Sequence, residues 1–160
     1  MSKAKAIFLD RDGVINRKVP EKDFVKTPEE LVYLPRVKQI IRKLKEKGFT
    51  IIIISNQSGI NRGMIKKENL EKINSRLMRD LNVDAIYYCP HLPEENCECR
   101  KPKTGLIEKA AKDFNIDVKS SLLIGDNDFD IIAGRSAGCK TIMVDGDRGL
   151  AQIENKLEGM

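Results

Sequence analysis

The chain has 160 residues, of which 41% are hydrophobic and 33% charged, and its net charge is +5 at pH 7. This composition is typical of a globular protein and excludes an intrinsically disordered chain. The longest apolar run, residues 51–54, is too short to cross a bilayer, and residues 1–5 lack the apolar core of a secretory signal. We therefore expect a cytoplasmic protein that does not contact a membrane. Basic residues alternate with glutamates and lack accompanying aromatic residues, which argues against nucleic-acid binding.

Short apolar strands alternate with amphipathic helices along the whole chain. The pattern predicts strands over residues 5–9, 50–54, 85–88, 121–124 and 141–144. It predicts helices from Pro35 to Gly48, around a stripe of Leu70, Ile73, Leu77, Met78 and Leu81, over residues 106–114, and over about residues 128–137. The stretch 14–33 and the tail after Gly149 show no regular pattern. We expect one α/β domain over residues 1–160, with a parallel sheet and helices on both faces.

Polar residues follow several of these strands. Asp10 and Asp12 come directly after the first strand, and Asp126 comes after the fourth. Residues i and i+2 of an extended chain project to the same side, and carboxylate oxygens suit Mg²⁺. A solvated Asp-Gly turn is the alternative for the first pair. Ser55, Asn56 and Lys101 also follow strands, and a metal, a hydroxyl and a lysine around a carboxylate are the parts that phosphoryl transfer needs.

A cysteine-rich loop spans residues 89–103. Cys89, His91, Cys97 and Cys99 bring four metal-binding side chains into eleven residues, a spacing that suits a structural, tetrahedral Zn²⁺. A disulfide pair and a set of inert cysteines are the alternatives. His91 is the only histidine, so carboxylates are left as the acid–base groups.

Four segments in order resemble the motifs of the haloacid dehalogenase (HAD) phosphatase superfamily. They are residues 8–14, Ser55, Lys101-Pro102, and Gly125-Asp126 followed by Asp130. The histidinol phosphatases and D-glycero-D-manno-heptose-1,7-bisphosphate 7-phosphatases form a branch that the chain resembles more closely. The segments that carry this resemblance are residues 9–16, 55–60 with Arg62-Gly63, 89–91 through 97–102, and 133–139. The resemblance implies a three-layer, Rossmann-like HAD fold without a large cap domain and with a zinc-binding loop.

The resemblance also implies roles for individual residues. Asp10 would be the nucleophile that forms an aspartyl-phosphate, and Asp12 the general acid and base. Mg²⁺ would bind Asp10, the backbone carbonyl of Asp12, and Asp126. Ser55 and Lys101 would hold the phosphoryl oxygens, and Asp130 would position its neighbours. The residues expected to contact substrate are Arg11, Asn56, Gln57, Ser58, Arg62 and Arg100.

The expected substrate is a small phosphorylated sugar, and the expected enzyme is a monomer. Residues 55–63 and 24–30 resemble the heptose bisphosphatases more than the histidinol phosphatases, so removal of the 7-phosphate is the leading hypothesis. Two features depart from that branch: Asn127 stands where a lysine is usual, and the loop 17–23 is long and charged. Histidinol phosphate as substrate, a catalytically inactive zinc-stabilised binding module and a nucleic-acid 3′-phosphatase are the alternatives.

Overall fold

The fold is built on a five-stranded parallel sheet. The computed structural model describes residues 2–20 and 23–160, so the predicted charged loop 17–23 lies partly outside the described residues. The strands are β1 Ala6–Leu9, β2 Thr50–Asn56, β3 Ala85–Cys89, β4 Leu122–Gly125 and β5 Lys140–Met143, in the order β3-β2-β1-β4-β5. All four neighbouring pairs are parallel. The predicted parallel sheet is confirmed.

Helices cover both faces of this sheet. They are α1 Val37–Glu46, α2 Lys67–Leu81, α3 Gly105–Asp113, α4 Asp128–Ala137 and α5 Glu154–Glu158. Buried residues of α1, α2 and α5 share one hydrophobic core with the sheet, whereas α3 and α4 share a second core on the opposite face. The predicted three-layer architecture is confirmed. Each helix in the described residues is too short or too polar to span a membrane.

The strands are apolar at consecutive positions because both of their faces are covered. In β1, Ile7 and Leu9 pack in the core of α1 and α2, while Ala6 and Phe8 pack in the core of α3 and α4. All four side chains are fully buried. Parallel strands sandwiched between helices have this continuous apolar character.

Three local features differ from the sequence-based expectations. Strand β2 runs two residues further than predicted, so Ser55 and Asn56 lie at its end. The tail folds into the short helix α5, which buries Leu157 and is held by an ion pair between Lys43 and Glu158 (2.6 Å). Met78 is 39% exposed and lies at the edge of the predicted helix stripe. The tail after Gly149 buries only two apolar side chains, Leu150 and Leu157, which are seven residues apart and give too little periodicity to predict a helix.

The strand order creates a crevice at the carboxyl ends of β1 and β4. The chain adds β2 and β3 on one side of β1 and then crosses to add β4 and β5 on the other. Such a switch point separates the connections that leave the two central strands, and ligands bind there in open α/β sheets. The described residues between β1 and α1 contain only one short 3₁₀ helix, Pro28–Glu30, and form no large cap over this crevice.

The stretch between β1 and α1 is anchored to α2 by a polar cluster. The Tyr33 hydroxyl donates to Asp80 (3.0 Å), and Arg76 donates to Asp80 (3.3 Å) and to the carbonyl of Leu31 (3.2 Å). Burial alone would raise the pKa of Asp80, but the hydrogen bond from Tyr33 and those from Arg79 and Arg76 outweigh it, so the pKa is lowered. The cluster fixes the wall of the crevice to a helix of the main body.

Asp80→Asn should destabilise the protein at pH 7 by about 1 kcal/mol, or about 3 °C in Tm. A carboxyl with a lowered pKa in the folded state contributes stability above its unfolded pKa, and this contribution is lost as pH falls through the folded pKa. The difference from wild type, measured by thermal unfolding, should therefore shrink below about pH 4. Glu71→Gln, an exposed change on the same helix, is the control. A pH-independent difference would contradict the electrostatic origin.

Candidate active site

Three carboxylates converge at the crevice. Asp10 follows the last residue of β1, Asp126 follows β4, and Asp130 lies in the first turn of α4. One oxygen of each lies within 4.8 Å of the others. Burial and the neighbouring Asp10 carboxylate raise the pKa of Asp130, and burial also raises the pKa of Asp126. Three acidic groups held this close are unfavourable without a cation among them.

Lys101 supplies one positive charge to this cluster. Its side chain is 3% exposed, and its Nζ donates to Oδ1 of Asp10 (2.8 Å), Oδ1 of Asp130 (2.6 Å) and the carbonyl of Ile54 (2.9 Å). Burial alone would lower the pKa of Lys101, but the two carboxylates outweigh burial and raise it. The side chain of Asn56 clamps the Lys101 backbone, since it accepts from the amide and donates to the carbonyl (3.0 Å each). The ammonium is therefore charged and fixed beside Asp10.

The carboxylate of Asp12 is held separately by three side chains. Arg11 donates to both of its oxygens (2.9 and 3.1 Å), Asn16 donates to Oδ1 (2.9 Å), and Gln57 donates to Oδ2 (3.1 Å). Burial would raise the pKa of Asp12, but the Arg11 guanidinium and these hydrogen bonds outweigh it and lower the pKa. Arg11 is itself only 1% exposed. The structure thus places this arginine, predicted to contact substrate, behind Asp12 as its support.

Gln57 connects several parts of the site. Its side chain donates to the Ser55 hydroxyl (2.6 Å) as well as to Asp12, and its backbone N–H donates to the carbonyl of Cys89 (2.7 Å), the last residue of β3. Ser55 is 2% exposed. The side chain and the backbone N–H of Gln57 therefore connect the carboxyl ends of β1, β2 and β3.

The carboxylate cluster fits a hard divalent cation. Asp10, Asp126 and Asp130 offer oxygens of the type that Mg²⁺ prefers, and Oδ2 of Asp130 is buried without a hydrogen-bond partner among the described residues. Gly13, with φ +85°, allows the chain to pass close to Asp126, because a Cβ at Gly13 would lie 2.3 Å from Oδ2 of that residue. The side chain of Asp12 is occupied by Arg11, which leaves its backbone as the part available to such an ion.

The cysteine loop brings together the four predicted zinc-binding side chains. Nδ1 of His91 lies 3.2 Å from Sγ of both Cys89 and Cys99, and Cys97 Sγ lies 3.5 Å from Cys89 and 3.7 Å from Cys99. The Cys89–Cys99 sulfur separation is 3.0 Å, and all four cysteines of the protein are free thiols. The disulfide alternative is not what the structure shows. Four N and S atoms within 4.8 Å of one another form a set that could hold a tetrahedral zinc ion.

Arg100 joins the cysteine loop to Lys101. Its backbone N–H donates to Sγ of Cys97 (3.3 Å), and its guanidinium donates to the carbonyl of His91 (3.4 Å). Burial would raise the pKa of Cys97, but the hydrogen bonds from this N–H and with the thiols of Cys89 and Cys99 outweigh burial and lower the pKa to about 7. Arg100 directly precedes Lys101, so the cysteine loop determines the position of the Lys101 backbone.

The remaining predicted residues, Ser58 and Arg62, lie in the turns that follow β2. Ser58 is buried, and its hydroxyl accepts from Nε of the exposed Arg62 (3.3 Å). Sequence reasoning missed the roles of Asn16, which binds Asp12, and Lys18, which contacts Asp126. The only sequence signal for Lys18 is its place in the long charged loop 17–23.

Lys101→Met should lower the rate of the phosphate-ester hydrolysis that the sequence motifs predict by about 10²–10³-fold, since it removes a fixed cation beside Asp10, the predicted nucleophile. It should also lower the free energy of unfolding by about 3 kcal/mol, because Asp10 and Asp130 lose a buried partner. Steady-state kinetics and urea unfolding measure the two effects. Lys103→Met, a half-exposed lysine two residues along, should change neither. Full activity in Lys101→Met would contradict this assignment.

Comparisons with known proteins agree with this geometry. The model of the family described as polynucleotide kinase 3 phosphatase matches residues 5–155. A D-glycero-beta-D-manno-heptose-1,7-bisphosphate 7-phosphatase of Helicobacter pylori is 40% identical, over 88% of this chain and 83% of the relative. A D-glycero-alpha-D-manno-heptose-1,7-bisphosphate 7-phosphatase of Campylobacter jejuni is also 40% identical, over 89% and 83%. The structure of D,D-heptose 1,7-bisphosphate phosphatase from B. bronchiseptica, complexed with magnesium and phosphate, matches with a TM-score of 0.83 and 37% identity, over 92% of this chain and 86% of that one.

These matches cover 88–92% of the chain for the relatives and the solved structure, and the family model includes the strand ends that carry the carboxylates. The protein is therefore an enzyme of the phosphoric monoester hydrolase class. The chain belongs to the family described as polynucleotide kinase 3 phosphatase and to the HAD-superfamily heptose-1,7-bisphosphate 7-phosphatases.

Proposed function

We propose that this enzyme removes the 7-phosphate of D-glycero-D-manno-heptose 1,7-bisphosphate through an aspartyl-phosphate intermediate. The observation that carries the chemistry is the position of Asp10: it directly follows the central strand β1 and is held by Lys101 in a cluster with Asp126 and Asp130. The sugar is proposed from the names of the relatives at 37–40% identity. We further propose a single-domain, monomeric and cytoplasmic enzyme that acts on a small phosphorylated sugar.

In the first step, an oxygen of Asp10 attacks phosphorus and the bond from phosphorus to the sugar oxygen breaks. Lys101 holds a phosphoryl oxygen while negative charge moves toward the leaving group, and the Ser55 hydroxyl holds another. Asp12 donates a proton to the departing sugar oxygen. The products are the free 7-hydroxyl and a phosphate covalently bound to Asp10.

In the second step, Asp12 takes a proton from water, and the resulting nucleophile attacks phosphorus. The bond to Asp10 breaks, which releases inorganic phosphate and restores the carboxylate. The lowered pKa of Asp12 suits this step, because the ionised form accepts the proton. In the substrate complex the adjacent anionic phosphoryl group opposes ionisation of Asp12, which favours the protonated form that the first step needs.

Two metals complete the proposal. Asp10, the Asp12 carbonyl and Asp126 would hold Mg²⁺, which when bound neutralises charge on the phosphoryl oxygens. Cys89, His91, Cys97 and Cys99 would hold Zn²⁺ in a structural role, since four protein ligands leave no open position. Gln57, Asn56 and Arg11 would support the reacting groups, and Ser58, Arg62 and Arg100 would line the path of the substrate.

A panel of phosphate esters tests the substrate. It contains both anomers of the heptose bisphosphate, because relatives of equal identity are named for each, and histidinol phosphate. Phosphate release with and without Mg²⁺ should be highest for a heptose bisphosphate and should depend on the ion. Faster release from histidinol phosphate would replace the proposed substrate, and release from none of the esters would support the inactive binding module.

A 3′-phosphorylated oligonucleotide is the second candidate substrate, because the matching family model is described as a polynucleotide kinase 3 phosphatase. Phosphate groups along a strand would need an array of cations beside the crevice. The described residues that line the cavity next to Asp12 include one lysine, Lys18, and the aromatic Phe24. We therefore expect turnover of the oligonucleotide to be much slower than that of the sugar ester.

A further inference from the structure

Lys18 is a second cation in the carboxylate cluster, and it differs from Lys101 in being accessible. It lies in the loop that follows β1 and reaches the end of β4, where its Nζ makes an ion pair with Oδ2 of Asp126. The Asp126 side chain is fully buried, whereas that of Lys18 is 49% exposed. A half-exposed lysine that closes over a fully buried carboxylate can leave it without disturbing the core.

The backbone leaves a narrow slot for this lysine. A Cβ on Gly13 would lie 2.8 Å from Cε of Lys18, and a Cβ on Gly146 would lie 3.3 Å from the same atom and 2.8 Å from Oδ2 of Asp126. The slot therefore forms between two residues without side chains, one after β1 and one after β5. Lys18 lies in it against Oδ2 of Asp126, a residue that the proposed Mg²⁺ would bind.

An ammonium and a divalent cation compete for the Asp126 carboxylate. Like charges a few ångströms apart in a partly buried site repel strongly, whereas the carboxylates attract either one. Binding of the divalent ion must therefore move Nζ of Lys18 away from Asp126. The long, half-exposed side chain allows this movement.

A place for the displaced ammonium adjoins the site. Lys18 lines a cavity of about 190 Å³ together with Asp12, Asn56 and Phe24. The sugar of the substrate is expected on this side, because Asp12 protonates its oxygen. Among the described residues that line the cavity, Lys18 is the sole cation.

We propose that Lys18 is an exchangeable cation: it neutralises Asp126 in the metal-free enzyme, and the divalent ion displaces it into the neighbouring cavity, where it binds the second phosphate of a bisphosphorylated substrate. This inference rests on the proposed function for its second half. Lys18 thereby links the loading of the metal to the recognition of a substrate with two phosphates.

Titration of the zinc-loaded protein with Mg²⁺ in a calorimeter tests the first half. Lys18→Met should bind Mg²⁺ about five- to tenfold more tightly than wild type, because the ion no longer competes with an ammonium. Lys43→Met is the matched control: Lys43 is 39% exposed and paired with Glu158 and Glu154, both in the carboxyl-terminal helix α5. It should leave the Mg²⁺ affinity unchanged. Equal or weaker binding of Mg²⁺ by Lys18→Met would overturn the exchange.

Kinetics with two matched substrates test the second half. At saturating Mg²⁺, Lys18→Met should raise KM for heptose 1,7-bisphosphate about tenfold and change KM for heptose 7-phosphate less than about twofold, with kcat similar for both. Lys18→Arg should restore part of the preference. Equal changes on both substrates would overturn the assignment to the second phosphate. If neither ester is hydrolysed by wild type, the proposed substrate fails, while the Mg²⁺ titration still decides the exchange.

Discussion

Asp10→Asn is expected to lower the rate of phosphate release by about 10⁴-fold or more, because the amide oxygen cannot form and release an acyl phosphate. The substitution keeps the size of the side chain, and its oxygen can still accept from Lys101. It also removes one of the crowded buried charges, so thermal stability should be equal to or above that of wild type. Steady-state phosphate release and thermal unfolding measure the two effects.

A matched change and a chemical trap sharpen this test. Asp128→Asn alters an exposed aspartate at the start of α4 and should leave activity within about twofold of wild type. Wild type stopped in acid during turnover should carry one phosphate on the peptide that contains Asp10, whereas Asp10→Asn should carry none. Hydrolysis by Asp10→Asn at the wild-type rate would remove Asp10 from the role of nucleophile.

Cys99→Ser is expected to reduce bound zinc from about one equivalent to well below half and to lower Tm by about 15 °C. The physical reason is that a structural metal contributes folding free energy directly, here about 5 kcal/mol in a chain of this size. Activity should fall as well, because Lys101 starts two residues after Cys99 and its ammonium must stay within hydrogen-bond distance of Asp10 (2.8 Å). Metal analysis, calorimetry and phosphate release measure the three effects.

Cys139 provides the control for this change, because it is a buried free thiol outside the cysteine loop. Cys139→Ala should keep the zinc content of wild type even if packing around it costs some stability. Removal of zinc from wild type with a chelator should reproduce the losses of Cys99→Ser, and added zinc should restore wild type alone. A wild-type protein purified with under half an equivalent of zinc would contradict the structural zinc.

Periodicity predicted the elements that make up the body of the fold. The run of β-branched residues in β2 reflects burial of both faces of the strand. The helical spacing in α1 reflects burial of one face of the helix, at Val37, Ile40, Ile41 and Leu44. Both kinds of burial leave a clear pattern in sequence. The end of β2 was predicted two residues early, because Ser55 and Asn56 are polar. They can extend the strand because their side chains meet Gln57 and the Lys101 backbone. Such partners are set by the tertiary fold.

The active site was also predicted in part. The order of the motifs predicted that Asp10, Asp126 and Lys101 lie together, because residues that follow the carboxyl ends of neighbouring parallel strands meet at one edge of the sheet. The direction of each side chain was beyond the sequence. Arg11 lies between two aspartates in sequence, yet it turns inward and supports Asp12. Lys18 contacts Asp126 across 108 positions of the chain, a pairing that local pattern cannot reveal.

The hydrogen bond from the Gln57 amide to the Cys89 carbonyl has a further consequence. Cys89 is the first residue of the loop that is proposed to hold zinc, and the same glutamine donates to Asp12, the proposed general acid and base. Cys89 is linked to Asp12 by two hydrogen bonds, both donated by Gln57, so a displacement of Cys89 would also displace Asp12. We therefore expect removal of the proposed zinc ion to alter the pH–rate profile before the chain unfolds. The pH dependence of turnover would then reveal the loss of a metal that is bound outside the reaction centre.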